Sequence, residues 1–197
     1  MKWLNFKRPV FAVISAVAAQ GAGAMNLLPA DVSCQTGGGM GTVSVGAGWR
    51  YGSGNRWETE VYLGVVPRYD SEASKATVAL KENFVPWQIR CKDRIVVEPL
   101  AASIYFTTII SKKFWLVQPD RYPSNYYTLP TRVRTNIALG QRIKWLLPSA
   151  KSHISAISAY YEIGTCDLYV FSVAGNKEIK PHEWMQLCIG IKLDLRK

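Results

Sequence analysis

Glu58 and Glu60 stand two residues apart in the stretch WETEVYLGV, where apolar and polar residues alternate. On an extended chain this spacing puts both carboxylates on one face. There they could act as an acid and a base, or as counter-ions for cations on neighbouring strands. The second use has the stronger support, because Arg50, Arg132, Arg134, Arg142 and Lys144 recur at the same period of two. Cys34, Cys91, Cys166 and Cys188 contain no C-x-x-C and fit no zinc spacing. Three pairings are open to them, and free thiols compete with disulfides. No residue set points to catalysis, a cofactor or a metal.

The element that must carry these charges is clearest from Thr131 to Trp145. Val133, Thr135, Ile137, Leu139, Ile143 and Trp145 fall on one face, with Gln141 the polar intruder. Arg132, Arg134, Asn136, Ala138, Gly140, Arg142 and Lys144 fall on the other. Such a strand is far longer than the usual five or six residues. Apolar outside and charged or small inside, it suits a barrel wall between lipid and water. Val43 to Tyr51 repeats the pattern, Gly52-Ser53-Gly54-Asn55 supplies a turn, and Trp57 to Val65 returns. Lys75 to Arg90 follows, its alternation weakening near Pro86, and Lys92-Asp93-Arg94 makes a short turn. The strand from Ile95 to Thr108 contains Pro99, which predicts a bulge or bend. Ile154 to Val173 reads as one long strand with a bulge near Gly164-Thr165, and Met185 to Leu195 as the last strand.

These elements make seven strands, so an eighth is expected at Asp31 to Thr36, joined through Gly37-Gly38-Gly39. The fold class is therefore all-β, an antiparallel up-and-down transmembrane barrel of eight strands. Short turns at 52–55, 91–94 and 146–151 fall at the periplasmic end. Longer loops at 67–74, 111–130 and 175–183 fall at the external end. Trp49, Trp57, Trp87 and Trp145 all lie near short turns, as an interfacial aromatic girdle requires.

Residues 1–19 read as a signal peptide: Lys2, Lys7 and Arg8 precede a short apolar core, and Val17-Ala18-Ala19 offers a cleavage site. Ala22-Gly23-Ala24 is a second candidate. A short N-terminal segment, 20–30, leads into the barrel, 31–197. No run of apolar residues is long enough for a transmembrane helix. The formal charge is +10. Its cations alternate along strands instead of clustering on a helix, and no nucleic-acid motif accompanies them, so nucleic acid is not an expected partner. Outer-membrane lipid, including the phosphates of lipopolysaccharide, is the expected partner; protein partners are not legible.

Gly190, Leu193 and Leu195 sit where the terminal β-signal of outer-membrane barrels places a glycine and spaced apolar residues, although Arg196-Lys197 follows in place of a terminal aromatic. The opening ADVSCQTGGGMGTVSVGAGWRY, with its short turn and Trp-bearing strand, resembles the eight-stranded lipid A deacylases of the PagL type. The unit strand–KDR–strand with Pro99 is similar to the middle of that family. The resemblance implies a His-x-Ser pair on the penultimate strand and an acid on the last. Ser172 falls at the serine and Glu183 near the acid, but Val170 stands at the histidine and cannot take a proton. His153-Ile154-Ser155 supplies the same letters at the opposite end of the strand, beside a short turn, and His182 lies next to Glu183 in a loop. Three readings follow. The first is a non-enzymatic integral outer-membrane barrel, structural or binding lipid or a partner through its external loops. The second is a deacylase-like esterase with a rearranged triad. The third is a soluble, periplasmic, lipocalin-like barrel with an apolar interior.

Overall fold

Alternation at a period of two becomes a single antiparallel sheet that closes on itself. The computed structural model describes residues 28–67, 74–110, 133–148, 153–170 and 184–196. Residues 1–19, read above as a signal peptide, lie outside the described residues, as do most of the three long loops. The strands are β1 (Asp31–Gly37), β2 (Val43–Tyr51), β3 (Trp57–Val66), β4 (Lys75–Phe84), β5 (Ile89–Lys92), β6 (Ile95–Ile110), β7 (Val133–Leu146), β8 (Ile154–Cys166) and β9 (Gln186–Leu195). Sequential neighbours pair except β4 and β5; β9 pairs with β1, and β4 pairs with β6. β5 is a side strand bonded only to the first residues of β6. The closed wall therefore has eight strands.

Register fixes the tilt of that wall. From Trp145 the partners run through Ile157, Leu193, Val32, Ala47, Val61, Leu80 and Phe106 to Thr135. One circuit thus returns to β7 ten residues from its start, a stagger that tilts eight strands by about 40° to the barrel axis. Every residue on this circuit points outward. Along β7 the faces separate as the sequence predicts: Ile137, Leu139, Ile143 and Trp145 are exposed, while Asn136, Ala138, Gly140, Arg142 and Lys144 are buried. The same inversion holds around the barrel. Leu63, Leu187 and Ile191 are all more than half exposed, whereas Lys81, Glu98 and Glu58 are 0–1% exposed.

Pro99 acts as predicted. The β6–β7 register shifts between Glu98 and Ala101. The extra residue moves the outward positions from the odd-numbered Ile95 and Val97 to the even-numbered Ala102, Ile104 and Phe106. Glu98 and Ala101 both face inward as a result, opposite Arg142 and Gly140. The segment expected as one strand from Lys75 to Arg90 is instead two. β4 ends at Phe84, Val85 donates its N–H to the Arg56 carbonyl at 2.8 Å, and pairing resumes at Ile89. Pro86, which has no N–H to give, falls in the gap. A second correction concerns β8, which ends at Cys166 and passes into a helical turn at 167–170. Asp167 accounts for the break. Its carboxylate accepts the N–H of Leu168 at 2.7 Å and that of Thr135 at 3.5 Å, competing with the strand ladder.

Glycines on the inner face make room for aromatic rings. A Cβ at Gly46 would fall 2.7 Å from the Tyr62 ring, and one at Gly190 would collide with the Tyr160 ring. All four cysteines are free thiols. Cys34 and Cys91 are exposed, and Cys166 and Cys188 are buried.

Candidate functional site

The lumen towards the short turns is filled by ion pairs contributed from strands all around the wall. Glu58 stands at their centre. One of its oxygens accepts Arg50 Nε at 3.0 Å; the other accepts Lys192 Nζ at 2.9 Å and Arg142 Nη1. Glu60 lies 2.7 Å from Lys192 Nζ and accepts Asn83 Nδ2 at 2.6 Å. The two carboxylates read from the sequence are therefore counter-ions, the use predicted for them. Arg50 also reaches Asp194 and, at 3.1 Å, Asp31. Lys144 spans Glu98 and Asp194, each at 3.2 Å. With its charges buried and partnered, this half of the lumen is a packed interior, as eight strands allow.

Above this layer the lining becomes aromatic. Lys81 Nζ bonds both Glu162 oxygens, at 2.6 and 2.7 Å. It also lies 5.8 to 6.0 Å from the ring centroids of Tyr62, Tyr105 and Tyr160, within cation–π range. Ser33 donates to Tyr62 at 2.8 Å and Tyr160 to Gln35 at 2.8 Å. Gly38–Met40, between β1 and β2, is a 3-10 turn folded inward rather than a plain linker. Met40 is 2% exposed; its carbonyl accepts Thr77 Oγ1 and its sulfur accepts Gln35 Nε2 at 3.1 Å. This tuck caps the tyrosine layer. The sequence signal for it is weak, because three glycines read equally well as a plain hairpin.

Of the residues raised by the resemblance, Val170, His153 and Ser155 fall among the described residues. Val170 is exposed in the helical turn after β8. Ser172, His182 and Glu183 lie outside the described residues. His153 is exposed at the short-turn rim, its carbonyl accepting the Arg196 N–H at 2.8 Å. Ser155 spends its hydroxyl on the Asp194 carbonyl at 3.2 Å.

The outer wall carries one feature that periodicity did not disclose. A groove of about 520 Å³ runs obliquely across β4, β6, β7 and β8, lined among others by Trp57, Phe84, Ala102, Leu139, Ile163 and Met185. Its floor follows from register. Phe84, Ala102 and Leu139 are successive partners, so a methyl group lies between two bulky neighbours. Trp57 packs against Phe84 at its lower end in a tilted arrangement, with ring centroids 4.7 Å apart. Glu82 stands in the groove wall, its oxygens taken up by Tyr51 Oη at 2.5 Å and Thr59 Oγ1 at 2.6 Å. Among the described residues no group of histidine, cysteine and carboxylate side chains is placed to hold a metal. No family model, curated protein or solved structure matches the chain.

Proposed function

We propose that the protein is an integral outer-membrane barrel that performs no catalysis and acts through its surfaces. It is a lipid-embedded scaffold whose outer wall contacts outer-membrane lipid, including lipopolysaccharide, and whose long loops meet partners. One observation carries the reading: the barrel is inside out. Apolar side chains form most of the exterior of the eight-stranded wall, and the strand charges of that wall, Glu82 apart, face the lumen. In water such a surface would be a severe aggregation liability, whereas in hydrocarbon it is the required one. A soluble ligand-binding barrel would turn both faces round. Trp57, Trp87 and Trp145, all exposed near the short turns, fit an interfacial girdle at that end.

The test is heat modifiability of protein extracted from membranes in detergent. A faster-migrating band in unboiled samples, converting on boiling, is the expected result. Full solubility without detergent and a single band position would overturn the proposal. Overexpression is expected to leave lipid A unchanged, and loss of an acyl chain from it would replace the scaffold reading with an esterase.

A further inference from the structure

We infer that the oblique groove on the outer wall, together with the basic rim beneath it, is a binding site for one anionic phospholipid. The inference rests on the membrane reading and adds a ligand class to it. The groove supplies the chain-binding part. It is apolar, it lies on the face assigned to lipid, and its volume falls within the range of small-molecule sites. Ala102 opens it between Phe84 and Leu139. The lower end, at Trp57 and Phe84, leads directly to charge. Arg56 precedes Trp57, is exposed, and is tied by its carbonyl to the N–H of Val85, immediately after β4.

Beyond Val85 the chain forms the β5–β6 hairpin, whose exposed residues Arg90, Lys92 and Arg94 have only Asp93 as an opposing charge within the hairpin tip. Every residue of β5 is exposed, so this ribbon stands off the wall instead of lining the lumen. Trp87 and Ile89, exposed beside it, continue the aromatic and apolar girdle down to the cations. Apolar groove, indole belt and guanidinium rim thus follow one another in the order of chain, glycerol region and phosphate of a phospholipid. Glu82 does not oppose the phosphate from the rim. It lines the groove on the outer face, half-buried, with its two oxygens held by Tyr51 Oη and Thr59 Oγ1.

Native mass spectrometry of the full protein, released from nanodiscs of phosphatidylcholine with and without phosphatidylglycerol, tests the site. One phosphatidylglycerol is expected to remain bound in preference to phosphatidylcholine. Its retention should fall severalfold in the double variant Arg56→Gln with Arg90→Gln. It should also fall in Ala102→Phe, which fills the floor without touching the rim. Inorganic phosphate should not displace it. Equal retention of both lipids by a heat-modifiable barrel would overturn the inference and leave the membrane reading standing. Retention unaffected by either variant would reduce the lipid to general annular contact, and displacement by inorganic phosphate would assign the rim to the free anion; both overturn the site. Should the protein fail to enter nanodiscs and show no heat-modified band, both readings fall.

Discussion

Glu58 shows how much of this barrel depends on single inward side chains. It is 1% exposed and takes Arg50, Arg142 and Lys192 at once, so it links β2, β3, β7 and β9. A buried network of this kind contributes little beyond an apolar core while whole, but removing one member strands the others without counter-charge. Glu58→Gln is therefore expected to destabilise the barrel by about 3–5 kcal/mol. The readout is a lower temperature for conversion of the unboiled band; a conversion temperature equal to the wild type would show that the remaining carboxylates absorb the three cations. Gly190 makes a complementary case, in which the missing side chain is what matters. The Tyr160 ring occupies the place its Cβ would take. Gly190→Ala must push back a ring whose hydroxyl is bonded to Gln35, at about 1–3 kcal/mol. The same substitution combined with Tyr160→Phe should recover only part of the loss, because the added Cβ would meet the ring as well as the hydroxyl.

At the scale of elements, facing is the property under strongest control, since a slip of one residue exchanges the two faces of a strand. Leu139 lies outward in the middle of β7; on the membrane proposal, Leu139→Arg is expected to block assembly, a cation at the bilayer midplane costing about 2–4 kcal/mol. Assembly indistinguishable from wild type, read by the heat-modified band in membrane extracts, would reverse the assignment of faces. The bulge at Pro99 gives a sharper version of the same test. Deleting Leu100 removes the extra residue, so either Glu98 or Ile104 must turn to the wrong face. Pro99→Ala keeps the residue count and should assemble. These properties were legible in the sequence because alternation is local. Arg142 and Leu139 announce their faces without knowledge of any neighbour, and Pro99 announces the bulge. The ends of elements were harder to read. β8 stops at Cys166 because the Asp167 carboxylate bonds backbone N–H groups, one of them on β7, a contact between strands that no linear pattern contains. The break between β4 and β5 likewise needs the Arg56 carbonyl, from the turn that precedes β3.

For the whole molecule the decisive question is whether a barrel of this width encloses a path. Alternation alone predicts only that charges face the lumen, which a channel and a plug would share. The pairing decides between them, and it was not legible, because it depends on the stagger that sets Glu58 opposite Arg142 and Lys81 opposite Glu162. With that stagger, Lys81, Arg142 and Lys192 are at most 2% exposed and each contacts a carboxylate. Lys81 sits among the tyrosines, and the inward Gly38–Met40 turn caps that layer. An ion crossing this lumen would have to displace paired, buried charges, each of which costs several kcal/mol to leave alone. Purified, heat-modifiable protein added to planar bilayers should therefore give no conductance steps. Shortening the tuck by Met40→Gly should still give none, since the ionic layer below it is intact. Reproducible steps from the wild-type barrel would mean that the network opens as a unit, and the scaffold proposal would then give way to a pore.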